Sequence, residues 1–334
     1  MSANLGFGVV GAGRIGRLHA RHLAGAIDGA RLLWVMDAMP EAAAAAAYGS
    51  ARTTNRLDDL LADPAVDALL IASPTPLHAA QIRAAATAGK AIFCEKPIAL
   101  SLADTLAAME AIEEAGVPFQ VGFNRRFDPG YVALARAVHE GELGKVEMFR
   151  SQSSDPAPPP RDYAAASGGI YLDSVIHDID TARFVAGEIT RVTALGRVLA
   201  EPYLADVGDI DTSILTLEFA SGALGVIQNS RRTVYGYDLR LEVHCEKGKL
   251  LTEDERATKL WTYDRGGVRG DYYHYFLDRF KDAYRAEVQA FTDAVCAGRP
   301  PGPGPRDAVE SLRVALAATR SLHEARPVPV SEVT

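Results

Sequence analysis

Three side chains in this sequence belong to the types that move protons and hold developing charge: Lys96, Asp173 and His177. His177 lies four residues after Asp173, in a stretch whose apolar residues Leu172, Val175, Ile176 and Ile179 follow helical spacing. One helix face, at the edge of that apolar stripe, then carries both. A carboxylate in reach of an imidazole fixes its tautomer and makes it a better base. Such a base could take a hydroxyl proton while hydride leaves the same carbon. Lys96 follows the apolar run Ile92-Phe93-Cys94 within Glu95-Lys96-Pro97. A strand's carboxyl end would present it to a ligand, and its ammonium group would offset the charge of an alkoxide. Pro97 marks a turn there and admits a cis bond. Each residue also has an ordinary alternative: a histidine satisfied at a helix–sheet contact with Asp173 as its surface partner, and a surface lysine.

This chemistry requires a hydride carrier, and the start of the chain offers a place for one. In Phe7-Gly8-Val9-Val10-Gly11-Ala12-Gly13-Arg14-Ile15-Gly16 a buried strand runs into a glycine turn and a helix. Gly11 permits the tight turn, Gly13 leaves room for a pyrophosphate, and Gly16 lets the helix press on the strand. A second apolar run, Leu32-Leu33-Trp34-Val35-Met36, ends at Asp37, close to the expected spacing of about 20 residues past the glycines. A carboxylate there accepts from the ribose hydroxyls and repels a 2′-phosphate, and no arginine follows in Asp37-Ala38-Met39-Pro40. The pattern predicts NAD in preference to NADP. The alternative is a glycine turn that binds no nucleotide, with Asp37 a plain helix cap.

At 334 residues the chain is long enough for two domains. Hydrophobic content of 48% and charged content of 23% are ordinary for a globular protein. A formal charge of −8 with no long basic run argues against nucleic acid as a partner. Cys94, Cys245 and Cys296 lie far apart, fitting neither a disulfide framework nor a zinc site. His19 and His22 have no acidic or cysteine ligands near them in sequence, so no metal site is expected. No signal peptide and no membrane-spanning stretch of roughly 18 apolar residues is apparent. These features predict a cytoplasmic protein.

The elements that must hold these residues change character along the chain. Through residue 124, short apolar runs alternate with helical stretches, predicting a doubly wound parallel sheet of Rossmann type. The strands are expected at Phe7 to Val10, Leu32 to Met36, Ala68 to Ala72, Ala91 to Cys94 and Phe119 to Phe123. Helices are expected at Arg14 to Ile27, Glu41 to Ala47, Leu77 to Ala88 and Leu102 to Ala115, the last capped by Ser101 and stopped by Gly116. Residues 125–334 form a second, α+β domain for substrate binding and oligomerisation. Its strand-like segments are Ile189 to Leu199, Thr212 to Phe219, Leu224 to Asn229, Asp238 to Cys245 and Lys249 to Thr252. Strand following strand predicts a large open, mostly antiparallel sheet. Two closing helices, about Arg285 to Ala297 and Arg306 to Ala325, could pack back on the first domain. The run Tyr272, Tyr273, His274, Tyr275, Phe276 suits packing or the lining of a polyol pocket.

Several motifs resemble the family of glucose–fructose oxidoreductase, inositol dehydrogenase and rhizopine-catabolism proteins (Gfo/Idh/MocA). They are Gly11-Ala12-Gly13, Glu95-Lys96-Pro97, Gly122-Phe123-Asn124-Arg125-Arg126-Phe127-Asp128-Pro129, and Gly168-Gly169 followed by Asp173 and His177. Ser154-Asp155-Pro156-Ala157-Pro158-Pro159, Ile176-His177-Asp178-Ile179-Asp180, Tyr235-Gly236-Tyr237-Asp238 and Tyr284 resemble its bacterial inositol 2-dehydrogenase branch. The resemblance implies NAD as cofactor, Lys96, Asp173 and His177 as the catalytic set, and oxidation of a cyclic polyol, first myo-inositol to its 2-keto form. It implies cofactor contacts from Gly11, Gly13, Arg14, Ile15, Asp37, Ser73, Thr75, His78, Glu95 and Lys96. Asn124, Arg126, Asp155, Tyr235 and Tyr284 would face the substrate. Leu77 departs from the asparagine that many relatives carry after the Thr-Pro pair. A homotetramer built through the second-domain sheets is implied as well. Alternatives are a dehydrogenase of another inositol isomer or of an aldopyranose, a non-catalytic NAD-binding sensor, and an NAD-dependent glycosidase.

Overall fold

Short apolar runs bounded by turn residues become the strands of a parallel sheet in the first part of the chain, and the central strands are buried on both faces. The computed structural model describes residues 4–253 and 256–334. Two compact units comprise Met1–Asn124 with Asp282–Glu310, and Arg125–Lys281 with Ser311–Thr334. In the first, β1 (Leu5–Val10), α1 (Arg14–Leu23), β2 (Ala30–Met36), α2 (Pro40–Ala46), β3 (Arg52–Thr54) and α3 (Leu57–Ala62) form one half. β4 (Ala68–Ile71), α4 (Thr75–Thr87), β5 (Ala91–Glu95), α5 (Leu102–Ala115) and β6 (Phe119–Gly122) form the other. The sheet order is β3-β2-β1-β4-β5-β6, with every pairing parallel. The order reverses between β1 and β4, where such sheets receive ligands at their carboxyl ends.

Helix α5 has the expected bounds. Ser101 Oγ accepts from the Asp104 amide at 3.1 Å, and Gly116 closes the helix at φ 63°. Helix α1 stops at Leu23, four residues earlier than expected, before Gly25 and Gly29. Strand β3 and helix α3 are too short and too polar for periodicity to reveal them.

The core of this unit includes residues from far along the chain. Val288 and Phe291 join Phe7, Val9, Leu70 and Phe93 in one buried cluster. The Phe291 ring lies 6.0 Å from Phe7 and 5.9 Å from Phe93.

The second unit begins with α6 (Pro129–His139), β7 (Val146–Ser154), α7 (Arg161–Ala166), α8 (Ile170–Asp173) and α9 (Ile176–Ala186). β8 (Ile189–Arg197), α10 (Tyr203–Asp206), β9 (Thr212–Phe219), β10 (Leu224–Ser230), β11 (Asp238–Cys245) and β12 (Gly248–Thr252) follow. The hairpin β13 (Arg256–Asp264) and β14 (Gly267–Tyr272) precedes α11 (Phe276–Arg279). Helices α12 (Lys281–Cys296) and α13 (Pro305–Glu324) and the short β15 (Val328–Pro329) end the chain.

The large sheet runs β12-β11-β7-β10-β9-β8-β15. It is mostly antiparallel, but β7 pairs parallel with β10. The second half of β7, Arg150-Ser151-Gln152-Ser153-Ser154, carries no apolar alternation to mark it as a strand. One face of the sheet buries Leu215, Leu217, Phe219 and Ile227. The other leaves Met148, Leu195, Ile214 and Leu224 exposed, with Met148 opposite Leu224 and Leu195 opposite Ile214. Among the described residues, no helix is long and apolar enough to cross a membrane.

Because Phe291 fills the first unit's core from α12, Phe291→Ala is expected to destabilise that unit by about 3–5 kcal/mol. Urea unfolding followed by circular dichroism measures it, and a loss below about 1 kcal/mol would show that the site collapses around the cavity.

Candidate active site

The nucleotide-binding features lie within the first unit, at the carboxyl ends of β1, β2, β4 and β5. Gly11 has φ 94°, and a Cβ on it would come 2.6 Å from the Ser73 backbone. A Cβ on Gly16 would come 1.9 Å from the Gly11 carbonyl. Gly13, by contrast, faces open space. Helix α1 starts without a capping side chain and with no acidic residue in its first turn. Its first amides, beside Gly13, Arg14 and Ile15, therefore present an anion site with no competing carboxylate. The Asp37 carboxylate accepts from the Ala12 amide at 2.7 Å through Oδ2 and from the Met39 amide at 2.9 Å through Oδ1. A carboxylate offers about four lone-pair sites, so acceptors remain for two ribose hydroxyls. The residues present fit a dinucleotide.

The second turn of this site is held by His78. Its Nδ1 lies 2.9 Å from the Pro97 carbonyl and its Nε2 lies 2.7 Å from the Ser73 carbonyl. His78 is buried, and burial pushes its pKa below the usual imidazole value, toward a neutral ring able to donate to one of the two. It ties the turn after β4 to the turn after β5, where the Lys96–Pro97 bond is cis. His78 is expected to contact the cofactor, and both of its ring nitrogens bond carbonyls inside the unit. Ser73 Oγ donates to Gln81 at 2.6 Å, and Thr75 opens α4. Glu95, also expected to touch the cofactor, is buried with His19 Nε2 at 2.8 Å. Tyr284 is 5% exposed with its ring 5.8 Å from that of His19, so the structure places it in the first unit's core. Asn124 is buried at the end of this unit.

Asp173 and His177 belong to the second unit, and they do not sit on one regular helix. The Val175 amide bonds the Ile170 carbonyl, five residues back, and the His177 amide bonds Ser174, three back. This wide turn followed by a tight one separates α8 from α9. The Asp173 carboxylate accepts from Tyr163 Oη at 2.9 Å and from Arg231 at 3.3 Å. Arg231, 1% exposed, also bonds Asp209. Asp209 Oδ1 accepts from the Ile170 amide at 2.9 Å and would crowd a Cβ on Gly169, itself at φ 87°. Gly169 thus lets the chain enter α8 beside a buried ion pair. Arg231, Asp209 and Tyr163 surround the candidate residue Asp173, and sequence reasoning missed them. Arg231 stands out in the sequence only as half of a short basic pair.

Asp155 is fixed through its backbone, its amide donating to the Ser230 carbonyl at 2.8 Å. Burial, with the Asp173 charge added, pushes its carboxyl pKa up to about 6, Arg231 opposing. The Arg126 guanidinium is engaged in a two-pronged bond with Asp180, at 2.8 and 2.7 Å. Its planar fork is thus matched by the Asp180 carboxylate inside the second unit. Arg125 is likewise buried against Asp178 at 2.7 Å. Tyr235 is half exposed and donates to Asp238 at 2.6 Å, a bond that pushes the phenol up to about 12.

A parallel sheet with an uncapped helix start and a carboxylate at the next strand end, in one chain with a mixed-sheet unit carrying a histidine and buried acids, fits a dinucleotide-dependent oxidoreductase. Residues 5–123 match the oxidoreductase family with an NAD-binding Rossmann fold. Residues 131–251 match the GFO/IDH/MocA C-terminal domain. The chain belongs to this GFO/IDH/MocA family of NAD-binding oxidoreductases. It is 42% identical to a myo-inositol 2-dehydrogenase of Thermotoga maritima, covering 98% of both chains. It is 42% identical to an inositol 2-dehydrogenase of Rhizobium meliloti, covering 97% of this chain and 99% of that one. Among solved structures, a scyllo-inositol dehydrogenase of Lactobacillus casei with bound NAD(H) and scyllo-inositol aligns with a TM-score of 0.91. It is 29% identical, over 98% of this chain and 99% of that one.

Asp37→Ala is expected to lower the preference for NAD over NADP at least about tenfold in kcat/KM, about 1.4 kcal/mol. Steady-state rates with both cofactors measure it, and a wild type that already favours NADP contradicts the role. A raised carboxyl pKa means that the folded state holds the Asp155 proton more tightly than the unfolded chain. This contribution to stability is present below pH 3.8 and is lost as pH rises through about 6. Asp155→Asn is therefore expected to stabilise the protein at pH 8 by about 1–3 kcal/mol and to flatten stability between pH 4 and 6. Urea midpoints across that range test it.

Proposed function

We propose that this protein is an NAD-dependent dehydrogenase of a cyclic polyol, oxidising the secondary hydroxyl of myo-inositol to the 2-keto form. The observation that carries this is the near full-length match to inositol 2-dehydrogenases, in a chain that carries Lys96, Asp173 and His177. NAD, when bound, accepts the hydride from the carbinol carbon. His177 takes the hydroxyl proton on a ring nitrogen as that hydride leaves. Lys96 donates to the same oxygen and offsets its negative charge. Asp173 supplies fixed negative charge that favours the imidazolium, and its bonds to Tyr163 and Arg231 hold it in place. Asn124, Asp155 and Tyr235 offer groups for the ring hydroxyls. Asp155 accepts as a carboxylate above about pH 6.

A second isomer is favoured by a specific observation, the scyllo-inositol bound in the Lactobacillus casei neighbour. Inositol isomers differ in the orientation of single hydroxyls, so the substrate assignment commits first to myo-inositol and second to scyllo-inositol. The exposed apolar row Met148, Leu195, Ile214 and Leu224 supports a homotetramer formed through the large sheets. The scattered cysteines, all in thiol form, support a reducing cytoplasmic setting.

The test is NADH formation by the purified protein with a panel of inositols and pyranoses. Myo-inositol is expected to give the highest kcat/KM, and the absence of NADH with every polyol would sink the proposal. His177→Ala is expected to lower kcat by about 10²–10⁴-fold while NAD affinity, followed by fluorescence, stays unchanged. Unaltered turnover in that variant would remove the proposed base.

A further inference from the structure

The first unit contains a buried ionisable cluster that the polyol chemistry leaves unassigned. His19 on α1, Glu95 at the end of β5 and Glu287 on α12 bring one ring nitrogen and two carboxyl oxygens within 4.8 Å of one another. His19 and Glu287 are fully buried and Glu95 is 8% exposed. The rings of Phe93 and Tyr284 pack against His19, and Gln120 Nε2 donates to the Glu287 carbonyl at 3.1 Å. Gly122 leaves room for the Glu95 head, since a Cβ there would come 3.0 Å from Glu95 Oε2. Sequence spacing suggested no acidic partner for His19; the fold supplies Glu95 as one and sets Glu287 beside the pair.

Among the described residues, neither oxygen of the Glu287 carboxyl group has a hydrogen-bond donor. An ionised carboxylate left in that state would be strongly disfavoured, and a second carboxylate beside it adds repulsion. Burial and the neighbouring Glu95 both push the Glu287 carboxyl group well above the usual carboxylate range. One proton removes the conflict, because a neutral acid is a donor and the adjacent carboxylate is its acceptor.

We propose that Glu287 is held as the neutral carboxylic acid and shares its proton with Glu95, so that His19, Glu95 and Glu287 form one proton-holding cluster that positions the Glu95-Lys96-Pro97 turn. His19 Nε2–H donates to one Glu95 oxygen and the Glu287 hydroxyl donates to the other. With both oxygens directed, the Glu95 side chain cannot swing, and the backbone that carries Lys96 is fixed with it. Glu287 is thus a positioning residue acting through Glu95. Its positioning role rests on the proposed part of Lys96 in polyol oxidation, whereas the location of the proton does not.

Infrared difference spectra of wild type against Glu287→Gln, recorded in H2O and D2O at neutral pH, test the proton directly. A carboxylic-acid carbonyl band is expected in the wild type, shifting in D2O and missing from the variant. Glu287→Gln keeps a donor of similar shape, so kcat and NAD affinity are expected within about threefold of wild type. Glu287→Leu removes the donor and is expected to lower kcat about tenfold with the polyol KM nearly unchanged, the scale of one hydrogen bond. The proposal is overturned if the wild type lacks the band, or if Gln impairs kcat as much as Leu. It is equally overturned by a stoichiometric divalent cation in the purified protein that Glu287→Gln abolishes. Should no polyol be oxidised, the infrared band still decides the state of Glu287 while the polyol assignment fails separately.

Discussion

Everything at the nucleotide site follows from one constraint, the parallel pairing of all six strands in the first sheet. Parallel strands end at the same edge, so Gly11, Asp37, Ser73 and Lys96 are delivered together although they lie far apart in sequence. The reversal of strand order between β1 and β4 opens the crevice that a ligand occupies. Within it, Asp37 is held to the glycine turn by the Ala12 amide, and His78 joins the next two turns. A site assembled from backbone ends in this way is as rigid as the sheet behind it.

The second unit is organised around buried charge. Arg231 bonds Asp173 and Asp209, Arg125 bonds Asp178, and Arg126 bonds Asp180. Removing one member of such a pair would strand its partner in a low-dielectric interior, so the pairs specify this arrangement more than they add to stability. Asp178 shows how completely the partners are used, accepting also from Ser151 and Asn229. This network surrounds the chain that carries Asp173 and His177, and it sets the unequal environments of Asp155 and Asp173.

The features legible in the sequence are those set by nearby residues. The glycine turn, the strand ending at Asp37, and helix α5 between Ser101 and Gly116 all depend on local sterics and period. Strand β7 was hidden because its Ser/Gln-rich half lacks alternation. The break between α8 and α9 was hidden because Leu172, Val175, Ile176 and Ile179 keep helical spacing across a wide turn. Long-range partners leave no local trace: Arg231 meets Asp173 across 58 residues, and His19 meets Glu95 across 76. For the same reason the partners of His78 and Glu95 were not legible, since a motif fixes position along the chain but not which way a side chain faces.

The route of the chain has a consequence for how the protein is made. Val288 and Phe291 belong to the core of a unit whose sheet is complete by residue 122, and Gln120 reaches Glu287 across 167 residues. During synthesis the N-terminal sheet therefore emerges with an apolar face bare and must wait until the intervening unit has been translated. A nascent chain in that interval is the aggregation-prone species that chaperones recognise. Severing the gene after the sheet would leave it permanently in that condition.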